Sequence, residues 1–193
     1  MTNYTDIIDV TFLQRNKLQK YRRDISKIYQ EAFALPPYNE SERATTRFIA
    51  ALEHHMLRPG FQCVVAYPSD QCPLVGFAFG YTAQTGQWWH DIVASAMPPS
   101  QIDRWLTDCF ELAELAVLPS FQGRGIGGRL HDHLLRNLPH KTAALSTLQA
   151  ESNALHLYRK RGWVTLVKDL VFPGGDRKYM ILGLDLKMKE VGI

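Results

Sequence analysis

The sequence predicts a single domain of the α/β (α+β) class, built on a mixed β-sheet with helices. Its 193 residues are about the length of one domain. The spacing of apolar residues predicts strands and helices in the order β-α-α-β-β, then a less regular insert, then β-α-β-α-β-β. This order differs from a series of identical βαβ units. Hydrophobic residues make up 46% of the chain, and this composition excludes a disordered or fibrous protein.

The first half of the chain predicts three strands and two helices. β-branched and aromatic residues mark the strands, and apolar residues at helical spacing mark the helices. The Pro36-Pro37 pair ends the first helix, and Ser41 is the expected N-cap of the second. We therefore expect strands at 7–12, 61–67 and 74–81, a turn at 68–71, and helices at 17–34 and between Ser41 and Pro59.

The second half predicts four strands and two helices around a glycine-rich loop. The insert at 83–107 is less regular and breaks at Pro98-Pro99 before a short helix. Farther along, Ser152 or Asn153 is expected to cap a helix, and Gly162 occupies the C′ position that favours glycine. We expect strands at 110–118, 142–148, 163–167 and 179–186, the loop at 119–128, a helix with Leu130, Leu134, Leu135 and Leu138 on one side, and a helix ending at Arg161.

Composition and cysteine spacing exclude several protein classes. Cys63, Cys72 and Cys109 are too far apart for a secreted disulfide framework, so we expect a cytoplasmic protein. No apolar run reaches the length of a membrane span, and the acidic start of the chain is unlike a signal peptide. A net charge of +3 does not favour nucleic acid as a partner. The histidines lack the spacing of metal ligands, so no metal is expected.

The clearest local motif is QGRGIGG at 122–128, between a predicted strand and an amphipathic helix. At such a junction the backbone N–H groups and the helix dipole favour an anion, most often a phosphate. Glycines let the backbone approach the anion, and Arg124 adds a positive charge. No acidic residue ends the next strand, which disfavours a dinucleotide fingerprint, and a P-loop motif is missing. The alternative is a glycine-rich turn that binds nothing.

Two motifs together resemble those of the GNAT N-acetyltransferases. QxxGxG at 122–127, after the strand that ends in LAVLP at 115–119, is similar to the acetyl-CoA pyrophosphate loop of that family. AxxLYxxxGW at 154–163 is similar to its second motif. The resemblance implies one GNAT-type domain over 1–193, with a central, mostly antiparallel sheet and helices on both faces. It also implies a cofactor-binding core near 110–165 and a variable acceptor-side insert near 83–107.

The resemblance implies which residues contact acetyl-CoA. Backbone groups of Leu115, Ala116 and Val117 are expected to bond the pantetheine arm, and Tyr158 to lie near the CoA sulfur as general acid. The acetyl carbonyl is expected where the fourth and fifth strands splay apart. The loop residues expected to hold the pyrophosphate are Gln122, Gly123, Arg124, Gly125, Ile126, Gly127 and Gly128.

One position departs from the family pattern. The family often has an asparagine that contacts the cofactor seven residues before this tyrosine, and here that position is Glu151. Asn153 either contacts the pantetheine after a local shift or caps the helix. The basic run at 159–161 is either a solvated helix end or a contact for the CoA 3′-phosphate.

Acetyl transfer to an amine requires a base, because an alkyl ammonium has a pKa of about 10. Glu111 and Glu114 are the candidates, and Glu111 lies where some family members carry a catalytic glutamate. Strand alternation places the two on opposite faces, so at most one points directly at the acceptor. For each glutamate the alternative is an edge position paired with an arginine. A water relay is a further alternative to both.

Residues 88–91, WWHD, are candidates for acceptor binding. Trp88 and Trp89 either form an aromatic wall for a cationic or apolar acceptor or separate, one inward and one on the surface. His90 is either a base or a solvated histidine. Cys109 is expected to be a buried free thiol rather than an acetyl-accepting nucleophile.

The sequence therefore predicts an acetyl-CoA-dependent N-acetyltransferase that transfers acetyl to a primary amine by direct attack in a ternary complex. A small-molecule amine and a peptide amine both stay open as acceptors. The oligomeric state also stays open, since homodimers are common in the family but no residue here demands one. The alternatives are transfer of another acyl group and a non-catalytic acyl-CoA-binding regulator on the same fold. No nucleic-acid or membrane partner is expected.

Overall fold

Seven strands and six α-helices lie within residues 8–68 and 73–187, the ranges that the computed structural model describes. The strands are β1 (Asp9–Phe12), β2 (Gln62–Tyr67), β3 (Gly76–Thr82), β4 (Cys109–Val117), β5 (Thr142–Leu148), β6 (Val164–Val171) and β7 (Lys178–Asp185). The helices are α1 (Arg22–Phe33), α2 (Glu42–Met56), α3 (Trp88–Ser95), α4 (Pro99–Trp105), α5 (Ile126–Leu134) and α6 (Asn153–Lys160).

The strands form a mixed sheet in the order β1-β2-β3-β4-β5-β7-β6. The pairs β1/β2, β2/β3, β5/β7 and β6/β7 are antiparallel. β4 pairs with β5 in parallel, from Cys109 opposite Thr142 to Glu111 opposite Ala144. The predicted α/β class with a mostly antiparallel sheet is therefore confirmed.

The chain folds as two compact units. The first contains the described residues up to Gly80 together with Glu114–Arg136. The second contains Tyr81–Ala113 and the described residues from Asn137 onward. Strands β3 and β4 each contribute residues to both units.

Aromatic rings join α1 and α2 to β3 in the first unit. Phe48 of α2 stacks on Tyr29 of α1 with ring centroids 3.9 Å apart, and lies 6.0 Å from Phe77 of β3. On β3, a Cβ added to Gly76 would lie 3.0 Å from the side chain of Leu130 in α5. This close approach holds α5 against the strand, and with it the start of the helix that follows the glycine-rich loop.

The insert between β3 and β4 forms two helices in the second unit. Both bury a tryptophan in an apolar cluster on the sheet, whose members include Trp89, Trp105, Cys109, Ala144 and Ile181. A Cβ on Gly183 of β7 would lie 2.8 Å from the Trp105 ring, so this glycine provides the space that the indole fills. The sequence predicted only the second of the two helices, and α3 is a correction.

The C-terminal end of α6 is closed by a Schellman motif. The Trp163 N–H donates to the Tyr158 carbonyl at 3.2 Å, and the Gly162 N–H donates to the Arg159 carbonyl at 3.1 Å. Gly162 takes the left-handed φ of 82° that the motif needs, as the sequence predicted. The Trp163 ring then packs edge-on against Tyr158, with centroids 5.6 Å apart.

Both predicted N-cap positions are confirmed, but only one of the two serines makes a capping hydrogen bond. Ser41 stands at the N-cap of α2, but its side chain makes no capping hydrogen bond. At α6 the cap is Ser152, whose Oγ accepts from the Leu155 N–H at 3.1 Å. Asn153 is the first residue of that helix and is exposed, so the expectation that it caps the helix is wrong.

Two helix boundaries also differ. The predicted helix at 17–34 is a 3₁₀ segment, Arg15–Tyr21, followed by α1, a common arrangement at helix starts. α5 ends at Leu134, so Leu135 is its C-cap and Leu138 lies beyond it. Ile7, Cys72 and most of the predicted turn at 68–71 lie outside the described residues.

Gly162→Ala is expected to lower the free energy of unfolding by about 1 to 2 kcal/mol, because an L-residue is strained at this φ. A Cβ there would meet no atom within 4 Å, so the loss reports backbone strain and not a clash. Urea denaturation measures the difference. Lys160→Ala, at an exposed position of the same helix, is the control and should change stability by less than about 0.5 kcal/mol. Equal losses in both variants would contradict the strained cap.

Candidate functional site

The glycine-rich loop is tied to the end of β4 by a side-chain hydrogen bond. Gln122 donates its Nε2–H to the Val117 carbonyl oxygen at 2.9 Å. Between them the chain makes the short 3₁₀ turn Pro119–Phe121, in which the Phe121 N–H donates to the Leu118 carbonyl at 2.8 Å. The glutamine of the motif therefore fixes the loop relative to the strand.

The loop's backbone opens toward free space at two glycines. Gly123 and Gly125 have φ of 75° and 77°, and Gly125 is the N-cap of α5. A Cβ on either would meet nothing within 4 Å. Since the first N–H groups of a helix have no acceptor within it, this end of α5 offers donors and a positive dipole to a ligand. The geometry suits a phosphate group.

Arg124 supplies the positive charge of the loop from an exposed position. Its guanidinium donates to the Ser120 carbonyl at 3.1 Å and lies 5.1 Å from the centroid of the Phe121 ring. These two contacts hold the charge beside the glycines rather than extended into solvent. An exposed arginine can turn its remaining donors to an anion.

The other predicted cofactor residues lie on β4 and in the first turn of α5. Leu115 is half-buried, and Ala116 and Val117 are buried on the strand. Ile126, Gly127 and Gly128 belong to the helix rather than to the loop, and the first and last of these are buried. Their backbone N–H groups, not their side chains, are what the site can use.

Glu111 lies where the parallel pairing of β4 with β5 ends. It is opposite Ala144, the last pair of that ladder, and the residue is 5% exposed. Tyr81 of β3 donates its hydroxyl to Glu111 Oε1 at 3.0 Å. The alternative of an edge-facing glutamate is therefore wrong for this residue, because it lies inside the fold beside a tyrosine.

Glu114 is half-buried on the same strand and has a different environment. Burial raises the pKa of its carboxyl to about 8, a hydrogen bond from the Leu115 N–H acts against the rise, and the charge of Glu40 adds to it. At neutral pH the carboxyl is therefore mostly protonated. It becomes a carboxylate only in mildly alkaline solution.

Tyr158 is held on α6 with the residue 6% exposed, and the Trp163 ring packs against it. The predicted alternative of a half-buried tyrosine in water does not describe it. The capped helix and the Schellman motif together restrict where this ring lies. That restriction is what a proton donor needs in order to meet a reacting atom.

Glu151, which departs from the family pattern, forms an ion pair with the basic run that follows Tyr158. The Arg159 Nη1 lies 2.9 and 3.1 Å from the two carboxylate oxygens of Glu151. One arginine of the predicted basic run is therefore engaged, while Lys160 is exposed. The structure does not place Asn153 in the position that Glu151 takes.

The two adjacent tryptophans of the insert separate. Trp89 is 7% exposed and donates its Nε1–H to the Ser146 Oγ at 3.2 Å, whereas Trp88 is 58% exposed and stacks on Phe172 at 5.3 Å. A wall built from both indoles is wrong, and the inward–outward alternative is what the fold shows. Of the two indoles, Trp88 is the exposed one.

His90 is buried, which corrects the expectation of a solvated histidine. Its Nδ1 lies 3.1 Å from Asp91 Oδ1, and the same carboxylate accepts the Gly86 N–H at 3.0 Å. The Gly86 hydrogen bond and His90 lower the pKa of Asp91. His90 lines a cavity of about 260 Å³ together with Thr85 and Thr107.

Cys109 is a buried free thiol, as predicted. Burial raises the pKa of this thiol to about 12, which keeps it protonated and poorly nucleophilic. Within the described residues no group of three or more His, Cys, Asp or Glu side chains is arranged to hold a metal ion. In the same part of the chain, no helix combines the length and apolarity needed to cross a bilayer.

Sequence reasoning missed Tyr81 and Phe172. Tyr81 ends the apolar run GFAFGY, and its hydroxyl meets a carboxylate 30 residues away. No local pattern signals such a contact. Phe172 follows β6, and its ring lies 5.1 Å from that of Tyr179 on β7 as well as under Trp88. The sequence signal for this contact is an aromatic residue on each side of the turn at Pro173-Gly174, namely Phe172 and Tyr179.

The sequence and fold match known acetyltransferases. The model of the acetyltransferase (GNAT) family matches residues 22–163. A GCN5-like protein acetyltransferase of Mycobacterium tuberculosis is 30% identical over 204 aligned positions, covering 91% of this chain and 97% of the relative.

Solved structures share the fold. The structure of yncA from Salmonella typhimurium with its cofactor acetyl-CoA has a TM-score of 0.62 at 16% identity, covering 93% of this chain and 94% of the other. The ribosomal-protein-S18-alanine N-acetyltransferase of Escherichia coli has a TM-score of 0.61 at 17% identity, with the same coverages of 93% and 94%.

Glu114 is expected to make stability depend on pH. Its pKa of about 8 in the folded protein exceeds the ordinary 4.5, so the folded state binds the proton more tightly. The stabilisation is complete below about pH 4.5 and is lost as the pH rises through 8. Glu114→Gln, which resembles the protonated form, should flatten this pH dependence. At alkaline pH it should raise the free energy of unfolding by about 1 to 2 kcal/mol, less than the full pKa difference implies because the side chain is partly exposed.

Urea denaturation between about pH 4 and about pH 9, a range that spans the ordinary and the raised pKa, measures this dependence. Glu31→Gln, an exposed position on α1, is the control and should leave the pH dependence as in the unmodified protein. A Glu114→Gln variant with an unchanged pH profile would show that the carboxyl titrates normally.

Proposed function

This chain belongs to the acetyltransferase (GNAT) family, and from that premise we propose that it transfers the acetyl group of acetyl-CoA to a primary amine by direct attack in a ternary complex. The observation that carries the proposal is the loop between β4 and α5. Its left-handed glycines, open space and helix N-terminus provide an anion site, and Gln122 fixes it to the strand.

The pyrophosphate of acetyl-CoA is the anion we assign to this loop. The N–H groups of Gly123 to Gly128 supply hydrogen bonds, and Arg124 supplies charge. The backbone of Leu115, Ala116 and Val117 on β4 is proposed to bond the pantetheine. Because β4 leads directly into the loop, one run of chain contacts both parts of the cofactor. Asn153 is exposed at the start of α6, so we retain it only as a secondary contact.

The proposed reaction forms one bond and breaks another. The neutral amine nitrogen attacks the thioester carbonyl carbon, a C–N bond forms, and the C–S bond then breaks. The proton lost by the amine goes to a base, for which Glu111 and Glu114 are the candidates. The departing CoA thiolate takes a proton from the Tyr158 hydroxyl. The buried, packed ring of Tyr158 supports this role, since a fixed donor loses little entropy on reaction.

The acceptor is proposed to be a peptide amine or a small-molecule amine. The Mycobacterium tuberculosis relative is named a protein acetyltransferase, which supports the first. Trp88 and His90 of the insert are proposed acceptor contacts, since Trp88 is exposed and His90 lines a cavity. Trp89, buried in the core, is assigned a structural role there. We also propose that residues 1–193 act as one domain, since the family match spans residues of both units. The proposed location is the cytoplasm.

The test is release of free CoA thiol from acetyl-CoA in the presence of an amine panel. The panel contains a peptide with a free N-terminus, a lysine peptide, spermidine, an aminoglycoside and an amino acid. Turnover of at least one amine, with mass-spectrometric detection of the acetylated product, is expected. Binding of acetyl-CoA without turnover of any amine would instead favour a non-catalytic acyl-CoA-binding protein. A preference for a longer acyl-CoA would favour transfer of another acyl group.

Tyr158→Phe is expected to lower kcat by about 10²-fold while leaving the Kd for acetyl-CoA nearly unchanged, because it removes only the proton donor. Steady-state kinetics and calorimetric titration with acetyl-CoA measure the two effects. Tyr67→Phe, which removes a hydroxyl from β2, is the matched control with full activity expected. Unchanged turnover in Tyr158→Phe would remove this residue from the mechanism.

Gly125→Ala is expected to weaken acetyl-CoA binding by about tenfold or more, because the residue is strained at a φ of 77° and narrows the anion site. Gly174→Ala is the matched control, since Gly174 has a φ of 80° and also has no atom within 4 Å of an added Cβ. Both variants carry the same backbone strain, but only the first should change the Kd for acetyl-CoA. Equal affinities would exclude the loop as the pyrophosphate site.

A further inference from the structure

Tyr81 and Glu111 form a hydrogen-bonded pair inside the second unit. The Tyr81 hydroxyl donates to Glu111 Oε1 at 3.0 Å, and the two residues are 1% and 5% exposed. They lie on β3 and β4, 30 positions apart in the chain. A carboxyl group taken out of water needs such a partner, because an unsatisfied buried polar group is costly.

The Tyr81–Glu111 pair lies at the end of the parallel pairing between β4 and β5. Glu111 is the last residue of the parallel β4–β5 ladder, which runs from Cys109 opposite Thr142 to Glu111 opposite Ala144. By strand alternation Glu111 shares a face with Cys109, a buried member of the apolar cluster that α3 and α4 cover. The glutamate therefore places an acidic group on an otherwise apolar face, where an alkyl side chain would be enough for packing.

The hydroxyl restricts where the carboxyl group lies. Its hydrogen bond selects one rotamer of a flexible side chain, which a base needs in order to meet its proton at the correct distance. Tyr81, on a central strand and buried itself, is rigid enough to impose that orientation.

We propose that Tyr81 is a positioning residue that holds the Glu111 carboxyl in one orientation as the general base of the acetyl transfer. The inference deepens the proposed function and rests on it. Between the two candidate bases it favours Glu111, whose carboxyl is fixed by the Tyr81 hydroxyl. The pKa of Glu114, raised to about 8 by burial, leaves that carboxyl mostly protonated at neutral pH.

The experiment is a double-mutant cycle on the intact chain, using acetyl-CoA and the best amine of the panel. Tyr81→Phe removes the hydroxyl and should lower kcat about tenfold, with the KM for acetyl-CoA changed less than twofold. Glu111→Gln removes the base and should lower kcat by about 10²-fold or more. The double variant should be no slower than Glu111→Gln, because the hydroxyl acts only through the carboxylate.

A purely structural role for Tyr81 predicts a different result. In that case Tyr81→Phe lowers the melting temperature, and its effect on kcat multiplies with that of Glu111→Gln. Tyr67→Phe controls for loss of a tyrosine hydroxyl on a neighbouring strand and should leave kcat unchanged. If Tyr81→Phe does not fold, Glu111→Asp tests the same geometry. It keeps the acid but withdraws it from the hydroxyl, and it should lower kcat with the KM for acetyl-CoA unchanged.

The outcomes distinguish a failure of the Tyr81 inference from a failure of the proposed function. An unmodified protein that acetylates an amine, together with a Tyr81→Phe variant of full activity, overturns the inference and leaves the proposed function standing. Full activity of Glu111→Gln has the same meaning, since the base is then another group. An unmodified protein that binds acetyl-CoA but acetylates no amine overturns both. Multiplicative losses in the double variant overturn the positioning role alone.

Discussion

The parallel ladder between β4 and β5 is the constraint on which the rest of the site depends. It is short, and its start is anchored by the Thr142 hydroxyl, which donates to the Trp105 carbonyl at 2.9 Å. The Lys141 N–H adds a bond to the Asp108 carbonyl at 3.1 Å. Because both strands are fixed at this end, the last paired residue, Glu111, has a defined position, and β4 continues from there into the glycine-rich loop.

Backbone conformation, rather than side-chain chemistry, determines what the loop can do. Gly123 and Gly125 have φ values that other residues avoid. The side-chain amide of Gln122 donates to the strand rather than to a ligand. The N–H groups at the start of α5 are then left to define the site. The same logic operates at α6, where the left-handed Gly162 turns the chain so that Trp163 packs on Tyr158. Each motif therefore uses glycine to place another group.

Local patterns predicted the features that depend on local physics. β5 has the predicted bounds 142–148, and Gly162 follows the end of α6, because a short buried strand and a left-handed glycine can be predicted from neighbouring residues. The helix α3 was missed because WWHDIVAS has few strong helix formers and depends on burial of Trp89 for its stability. The Tyr81–Glu111 pair was not predictable, since it joins residues that only the sheet brings together.

The two glutamates of β4 show how one strand can hold two carboxyl groups in different environments. They are three residues apart, yet Glu111 is buried and accepts the Tyr81 hydroxyl, whereas Glu114 is half-buried near the negative charge of Glu40. Burial raises the pKa of Glu114 to about 8 despite a hydrogen bond from the Leu115 N–H, so this carboxyl is mostly protonated at neutral pH. A base that takes a proton from an amine has to be ionised beforehand, which disfavours Glu114 in that range and makes the orientation of Glu111 the feature on which the proposed base depends. In its protonated form Glu114 can instead donate a hydrogen bond.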